Sequence, residues 1–161
     1  MGLRRRSRSI YFTPFGSSDF AVREFLRDDT HRALAIMETW SVDSDDAVQR
    51  LASEGSRPRL PWSFQLGEIE ADPSLAAPIL DRLSADPSAY VRKSVANHPN
   101  DVMKTHPAWV LERVGQWHGD NHHTRWIVRH GLRTLVKQGN KEALAVLGAG
   151  GRLRLCPRRS A

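Results

Sequence analysis

The 161-residue sequence predicts an all-α protein built from stacked helix pairs, and three observations support this fold class. Apolar residues recur with helical spacing along most of the chain. No stretch alternates as a half-buried strand does, and no hairpin turn is evident. Three segments also resemble one another at offsets of 43 and 36 residues, which is the spacing of a helix-pair repeat. A hydrophobic content of 40% is enough for a packed core.

Eight helices are predicted, and turn-forming residues separate them. Capping residues or first-turn acids begin four of these helices, at Asp45, Ser88, Asp101 and Asn140. Breaks are expected at Gly55, Pro58, Pro61, Pro73, Pro87 and Pro99. Pro78 and Pro107 fall inside two spans, so those helices are kinked or begin later. The predicted spans are 18–27, 29–40, 44–54, 74–85, 88–97, 101–116, 121–138 and 140–148.

The repeat signal lies in three seven-residue segments that begin at Val48, Val91 and Ile127, with a shorter echo at 20–23. Each segment has a basic residue two positions after its first apolar residue, namely Arg50, Lys93 and Arg129. Such units stack into a HEAT-like solenoid whose inner helices line a concave surface. The alternative is that any amphipathic helix containing arginine would look similar.

Equivalent positions in this alignment hold Glu54, Asn97 and Arg133, near the carboxyl ends of the inner helices. The repeat therefore predicts that these three side chains lie next to one another along one groove. Asn97 and Arg133 are candidate DNA contacts in that groove.

The net charge of +6 is concentrated at the two ends of the chain. Residues 1–10 and 151–161 each contain four arginines and no acid, and the rest has 16 basic against 18 acidic residues. We therefore expect a basic leader at 1–16, a repeat domain at 17–148 and a basic tail at 149–161. Net charge alone supports DNA binding only weakly. Whether the domain has a DNA-binding face depends on how its charged residues are arranged.

The sequence has no apolar run long enough to cross a bilayer and no signal-peptide pattern. Its single cysteine, Cys156, excludes an internal disulfide framework. These features predict a cytoplasmic protein, which we expect to be monomeric and to associate with the nucleoid when it binds DNA.

The most unusual segment runs from Glu54 to Trp62. Glu54 stands just before the expected helix stop, where the helix dipole disfavours a carboxylate, and such local violations tend to mark functional sites. Arg57 and Arg59 suit phosphate groups, and the Trp62 indole can pack on a sugar or a base. The alternative is a proline-braced turn in which Glu54 pairs with Arg57 or Arg59.

A second candidate site lies around the predicted break at Pro99. Arg92, Lys93 and Lys104 are candidate phosphate contacts there, and Asp101 is a candidate second carboxylate of the groove. The more common use of an aspartate at such a place is as the N-cap of the next helix.

A third candidate is a basic stripe. Arg125, Arg129, Arg133 and Lys137 recur every four residues, and 121–141 contains no acid. Like charges at this spacing repel, so an anionic partner such as a DNA backbone would explain them. A solvated helix face is the alternative. Three nearby histidines lack cysteines or acids at ligand spacing, so no metal site is predicted.

Four strings resemble the AlkC branch of the AlkC/AlkD-like DNA alkylation repair proteins, and the likeness extends over about residues 11 to 148. The second and third strings are the specific ones. They are Ser17-Ser-Asp-Phe-Ala-Val-Arg23, Arg50-Leu-Ala-Ser-Glu-Gly-Ser-Arg-Pro-Arg-Leu-Pro-Trp62, Tyr90-Val-Arg-Lys-Ser-Val-Ala-Asn-His-Pro-Asn-Asp101 and Trp126-Ile-Val-Arg-His-Gly-Leu-Arg-Thr-Leu-Val-Lys-Gln-Gly139.

The resemblance implies a HEAT-like solenoid that binds double-stranded DNA and excises cationic alkylated bases such as 3-methyladenine, without a metal or cofactor. The catalytic residues it implies are Glu54, Trp62, Asp101 and Asp19. Asp19 stands where the family usually has Glu, and Pro99 where it usually has Leu.

Family members usually have further helical repeats upstream, so the resemblance also implies a chain that is shortened at its N-terminal end. Two other interpretations remain open at this point. One is a non-catalytic helical-repeat module that binds nucleic acid or protein, and the other is an inactive fragment.

Overall fold

The computed structural model describes residues 17–117 and 119–150. Within these ranges the chain forms α-helices and one short 3₁₀ helix, with no strand. The helices are α1 Ser17–Asp28, α2 Thr30–Trp40, α3 Asp46–Gly55, α4 Gly67–Ala71, the 3₁₀ helix Pro73–Ala76, α5 Ala77–Leu83, α6 Ala89–Val102, α7 Pro107–Gly115, α8 His122–Gly131, α9 Arg133–Lys137 and α10 Lys141–Gly150. The all-α prediction is confirmed. The predicted leader and most of the tail lie outside the described residues.

The helices are stacked in two layers of pairs. An inner layer contains α1, α3, α6 and α8, each packed against the next. A second layer of α2, α5, α7 and α10 packs against it, and its members also contact one another. The first residues of the three repeat segments, Val48, Val91 and Ile127, are all buried. The predicted helical-repeat architecture is therefore confirmed.

Short polar side chains begin several helices, as the sequence predicts. The Asp45 carboxylate accepts a hydrogen bond from the amide of Ala47, and the Asn140 side chain accepts one from the amide of Ala143. Asp101, in contrast, begins no helix: α7 starts later, at Pro107. The predicted N-cap role for Asp101 is wrong, and its carboxylate remains available for other partners.

The predicted break at Pro99 is also wrong, because α6 continues to Val102. A proline inside a helix removes the hydrogen bond that its nitrogen would donate, and its ring crowds the carbonyl group of the residue four positions earlier. Tertiary packing offsets these costs: Pro99 is buried and lies against Gly131 of α8. A side chain at Gly131 would approach the Ala96 carbonyl oxygen to 3.2 Å, so glycine permits this close packing of α6 and α8.

Two further boundaries differ from the prediction. The span 121–138 is not one helix, because α8 ends at Gly131 and α9 begins at Arg133, with Leu132 between them. The basic stripe is therefore divided between two helices. The short helix α4 was not predicted; its Ile69 is fully buried in the core. No helix in the described ranges is long and apolar enough to cross a membrane.

Candidate active site

Three carboxylates from three different inner helices point into one site. Asp19 comes from the first turn of α1, Glu54 from the end of α3 and Asp101 from the last turn of α6. They are 3%, 7% and 6% exposed. Buried carboxylates are costly unless they are paired with cations or hydrogen-bonded. Their partners therefore define the chemistry of the site.

The Arg57 guanidinium bridges Glu54 and Asp101. Its Nη1 donates to Glu54 Oε1 at 2.9 Å, and its Nε donates to Asp101 Oδ2 at 2.7 Å. Burial by itself lowers the pKa of Arg57, but the hydrogen bond to Asp101 and the charge of Glu54 outweigh it and raise the pKa. For Asp101, burial outweighs the pairing with Arg57 and raises the pKa of the carboxyl group.

Arg50 joins the third carboxylate to this network. Its Nη1 lies 3.5 Å from Asp19 Oδ2, and its Nη2 lies 3.7 Å from Glu54 Oε1. The same guanidinium lies over the Tyr90 ring, 4.7 Å from the centroid. Burial raises the pKa of Asp19, and Arg50 offsets only part of this effect. The Oδ1 atom of Asp19 has no hydrogen-bond partner within the part of the chain that the structure describes.

We expect the Asp19→Asn protein to gain stability relative to the wild type as the pH rises from about 4 to 7. The raised pKa means that the folded state holds this proton more tightly than the unfolded chain, whose carboxyl keeps the ordinary value of 3.8. The ionised group therefore lowers stability above the folded-state pKa, and this penalty disappears as the pH falls to 3.8. Urea unfolding at several pH values measures the difference. Asp120→Asn, at an exposed loop position, is the control, and an equal pH dependence in both variants would contradict the expectation.

A fully buried arginine, Arg23 of α1, holds the loop that follows α3. Its guanidinium donates to the carbonyl oxygens of Gly55 at 3.3 Å and Arg57 at 2.5 Å, to that of Phe64, and to Ser63 Oγ at 2.9 Å. Burial first, and then the charge of Arg57, lower the pKa of Arg23 to about 10, so it remains a cation at neutral pH. These hydrogen bonds fix the loop backbone that positions Arg57.

The sequence-predicted site residues have different surroundings in the structure. Glu54, Asp101 and Asp19 share one ion-pair network, and Arg57 lies inside it. Trp62 lies in the following loop and is 52% exposed. Arg59 pairs with Glu70. The Glu54–Arg57 pair is the one that the proline-braced alternative anticipated, and it offsets the unfavourable position of Glu54 at the end of a helix.

Five of the predicted DNA contacts are exposed: Lys93, Lys104, Arg125, Arg129 and Lys137. The others are partly held by protein groups. Arg133 donates to Asn97 Oδ1 at 3.2 Å, as expected of neighbours along the groove. Arg92 donates to the Pro87 carbonyl oxygen and lies over the Trp126 ring at 5.4 Å.

Arg50, Arg23 and Ser94 were not predicted as site residues. The sequence did contain a signal for Arg50, because it is the basic residue that each repeat segment has two positions after its first apolar residue. No group of three or more histidine, cysteine, aspartate or glutamate side chains that could hold a metal ion occurs in residues 17–117 and 119–150.

Comparison with known proteins finds clear relatives of this chain. The chain is 50% identical over 137 residues to the uncharacterized protein YhaZ of Bacillus subtilis strain 168, a match that covers 85% of this chain and 38% of that protein. It is 60% identical, with a TM-score of 0.82, to the Pseudomonas fluorescens alkylpurine DNA glycosylase AlkC bound to DNA containing an abasic site analog. That match covers 86% of this chain and 39% of the other. No model of a known protein family matches the sequence.

The fold, together with these matches, defines a helical-repeat protein. The chain belongs to the AlkC branch of such proteins. It spans about two fifths of the length of the two relatives.

Proposed function

We propose that this protein is a DNA glycosylase that hydrolyses the N-glycosidic bond of cationic alkylated bases such as 3-methyladenine in double-stranded DNA. The observation that supports this most directly is the convergence of Glu54, Asp101 and Asp19 in one buried site. The likeness to an alkylpurine DNA glycosylase bound to DNA adds to it. We further propose that it acts as a monomer in the cytoplasm, at the nucleoid, without a cofactor.

The chemistry requires little from a general acid. A cationic alkylated base leaves with the bonding electron pair and departs neutral, so the barrier lies in the positive charge that develops on the sugar. Fixed negative charge lowers such a barrier. In our proposal Glu54 stabilises the oxocarbenium and accepts a proton from the attacking water, whose oxygen bonds to C1′. Asp101 and Asp19 add to the negative field, and Trp62 packs against the deoxyribose.

Arg57 has a different role in this proposal from the phosphate contact that the sequence predicted. Its guanidinium is committed to Glu54 and Asp101 and is mostly buried. It holds the two carboxylates at a fixed distance from each other, since one guanidinium donates to both. The phosphate contacts are then assigned to the exposed cations of the inner helices, above all Lys93 and Arg129, which occupy equivalent repeat positions.

A base-release assay on methylated double-stranded DNA tests the proposed function, with circular dichroism confirming that the chain is folded. We expect free 3-methyladenine to accumulate in proportion to enzyme concentration. A folded chain that binds DNA but releases no base would contradict the glycosylase proposal and favour a non-catalytic DNA-binding module. A folded chain that does neither would favour an inactive fragment.

Neutralising Lys93 and Arg129 together, as Lys93→Gln and Arg129→Gln, should weaken binding to all DNA sequences alike. Each phosphate contact that is lost reduces the slope of log K against log salt by about 0.9, so the pair should reduce it by about 1.8. Fluorescence anisotropy at several salt concentrations measures the slope. Arg82→Gln is the control, because Arg82 already pairs with Glu38. Equal slopes for the double variant and the wild type would exclude these residues as phosphate contacts.

A further inference from the structure

The Glu54 carboxylate is held on two sides, and the two sides differ in burial. Oε1 accepts from Arg57 at 2.9 Å in a partly buried contact, and Oε2 accepts from the Ser94 hydroxyl at 2.6 Å in a fully buried one. Oε1 therefore faces the guanidinium groups of Arg57 and Arg50, while Oε2 faces the buried hydroxyl group of Ser94. A group that fixes Oε2 thereby fixes the direction in which Oε1 points.

Ser94 is a buried polar residue of the inner layer. It lies in α6, is 2% exposed, and occupies the position that Leu51 has in the preceding segment and His130 in the following one. A hydroxyl group buried in a core is unfavourable unless it is hydrogen-bonded. Nothing in the packing of two helices requires a polar atom here, whereas a carboxylate on the neighbouring helix does.

The Ser94 hydroxyl group is in contact with a second buried hydroxyl group, that of Ser53. Ser53 Oγ lies 3.0 Å from Ser94 Oγ, and both residues are buried. Ser94 has one hydroxyl proton, and the carboxylate is its stronger acceptor, so Ser53 donates to Ser94 while Ser94 donates to Glu54. The charge of Glu54 therefore sets the direction of both hydrogen bonds.

We infer that Ser94, supported by Ser53, is a positioning residue that directs Oε1 of Glu54 towards the water and the sugar. This inference rests on the proposed function. It assigns to Ser94 a contribution to the rate of base release and none to DNA binding, since its hydroxyl group is buried below the carboxylate and does not face the groove surface.

The test is Ser94→Ala, which deletes one oxygen atom and adds no volume. We expect the single-turnover rate of 3-methyladenine release to fall about tenfold or more, as befits a lost hydrogen bond to a charged group. The Kd for DNA containing a stable abasic-site analogue should change less than about twofold. The matched control is Ser56→Ala. Ser56 is equally buried at the end of α3, but among the described residues its hydroxyl group bonds only the Ala52 and Ser53 carbonyl oxygens.

A crystal structure of Ser94→Ala provides a readout that does not depend on activity. We expect the Glu54 carboxylate to move by about 1 Å or to occupy two rotamers, a displacement large enough to matter for catalysis. A carboxylate that stays in place, or a release rate equal to that of Ser56→Ala, would overturn the inference. If the wild-type chain released no base, the glycosylase proposal would fail, and the position of Glu54 in the variant would still decide whether Ser94 positions it.

Discussion

Glu54→Gln is expected to lower the rate of base release by about 10²–10³-fold while leaving most of the DNA affinity intact. The amide has the shape of the carboxylate. Its oxygen can still accept from Arg57, and its NH₂ group can donate to Ser94 Oγ. What it lacks is the negative charge opposite the oxocarbenium and the capacity to accept a proton from water.

Two measurements on this variant separate chemistry from binding. Single-turnover release of 3-methyladenine reports the chemical step, and anisotropy with DNA containing an abasic-site analogue reports affinity. Glu38→Gln is the matched control, because Glu38 pairs with Arg82 in an exposed ion pair. Unchanged release by Glu54→Gln would remove Glu54 from the catalytic role and leave the buried network a structural one.

Arg23→Met is expected to lower the free energy of unfolding by about 3–5 kcal/mol, because several buried acceptors lose their donor at once. Methionine fills much of the volume of the arginine stem but has no N–H group. The carbonyl oxygens of Gly55, Arg57 and Phe64 would then be left without the bonds that hold the loop. Urea unfolding followed by circular dichroism measures the change.

Arg27→Met is the control for this experiment. Arg27 lies one turn further along α1, and its guanidinium also lies over the Phe64 ring, but its side chain is 59% exposed and its ion pair is with Glu24. Exposed pairs contribute about 0–1 kcal/mol, so this variant should stay close to the wild type. Similar losses of stability in the two variants would show that Arg23 contributes no more than a surface arginine.

The sequence predicted the inner helices well because their apolar residues are spaced for one buried face and their first positions repeat. It failed at Pro99, where local rules end a helix and the contact with Gly131 instead keeps α6 intact. It failed for the same reason at Asp101, whose predicted capping role depended on a helix beginning there. The short helix α4 was missed because five residues are too few to show a period.

Glu54 and Asp101 were candidates from their positions in the sequence, and only Asp19 was recognised by likeness to a family. Spacing alone left Glu54 open between a catalytic group and a paired surface residue. The contacts show that Glu54 is paired with Arg57 and that the pair is buried beside Asp101, so it is not a surface pair. The repeat gave no signal for Ser94, because its equivalents are an apolar and a polar residue, Leu51 and His130.

The sequence by itself determined the fold class, the repeat positions and the residue types that could take part in the chemistry, because periodicity and capping are local properties. Only the tertiary structure decided the partners of those residues. Asp19, Glu54 and Asp101 are separated by tens of residues. Stacking of α1, α3 and α6 brings Asp19 to Arg50, Asp101 to Arg57, and Glu54 to both. Whether an arginine faces a phosphate or a buried carboxylate depends on these long-range contacts, since the side chain is the same in both cases.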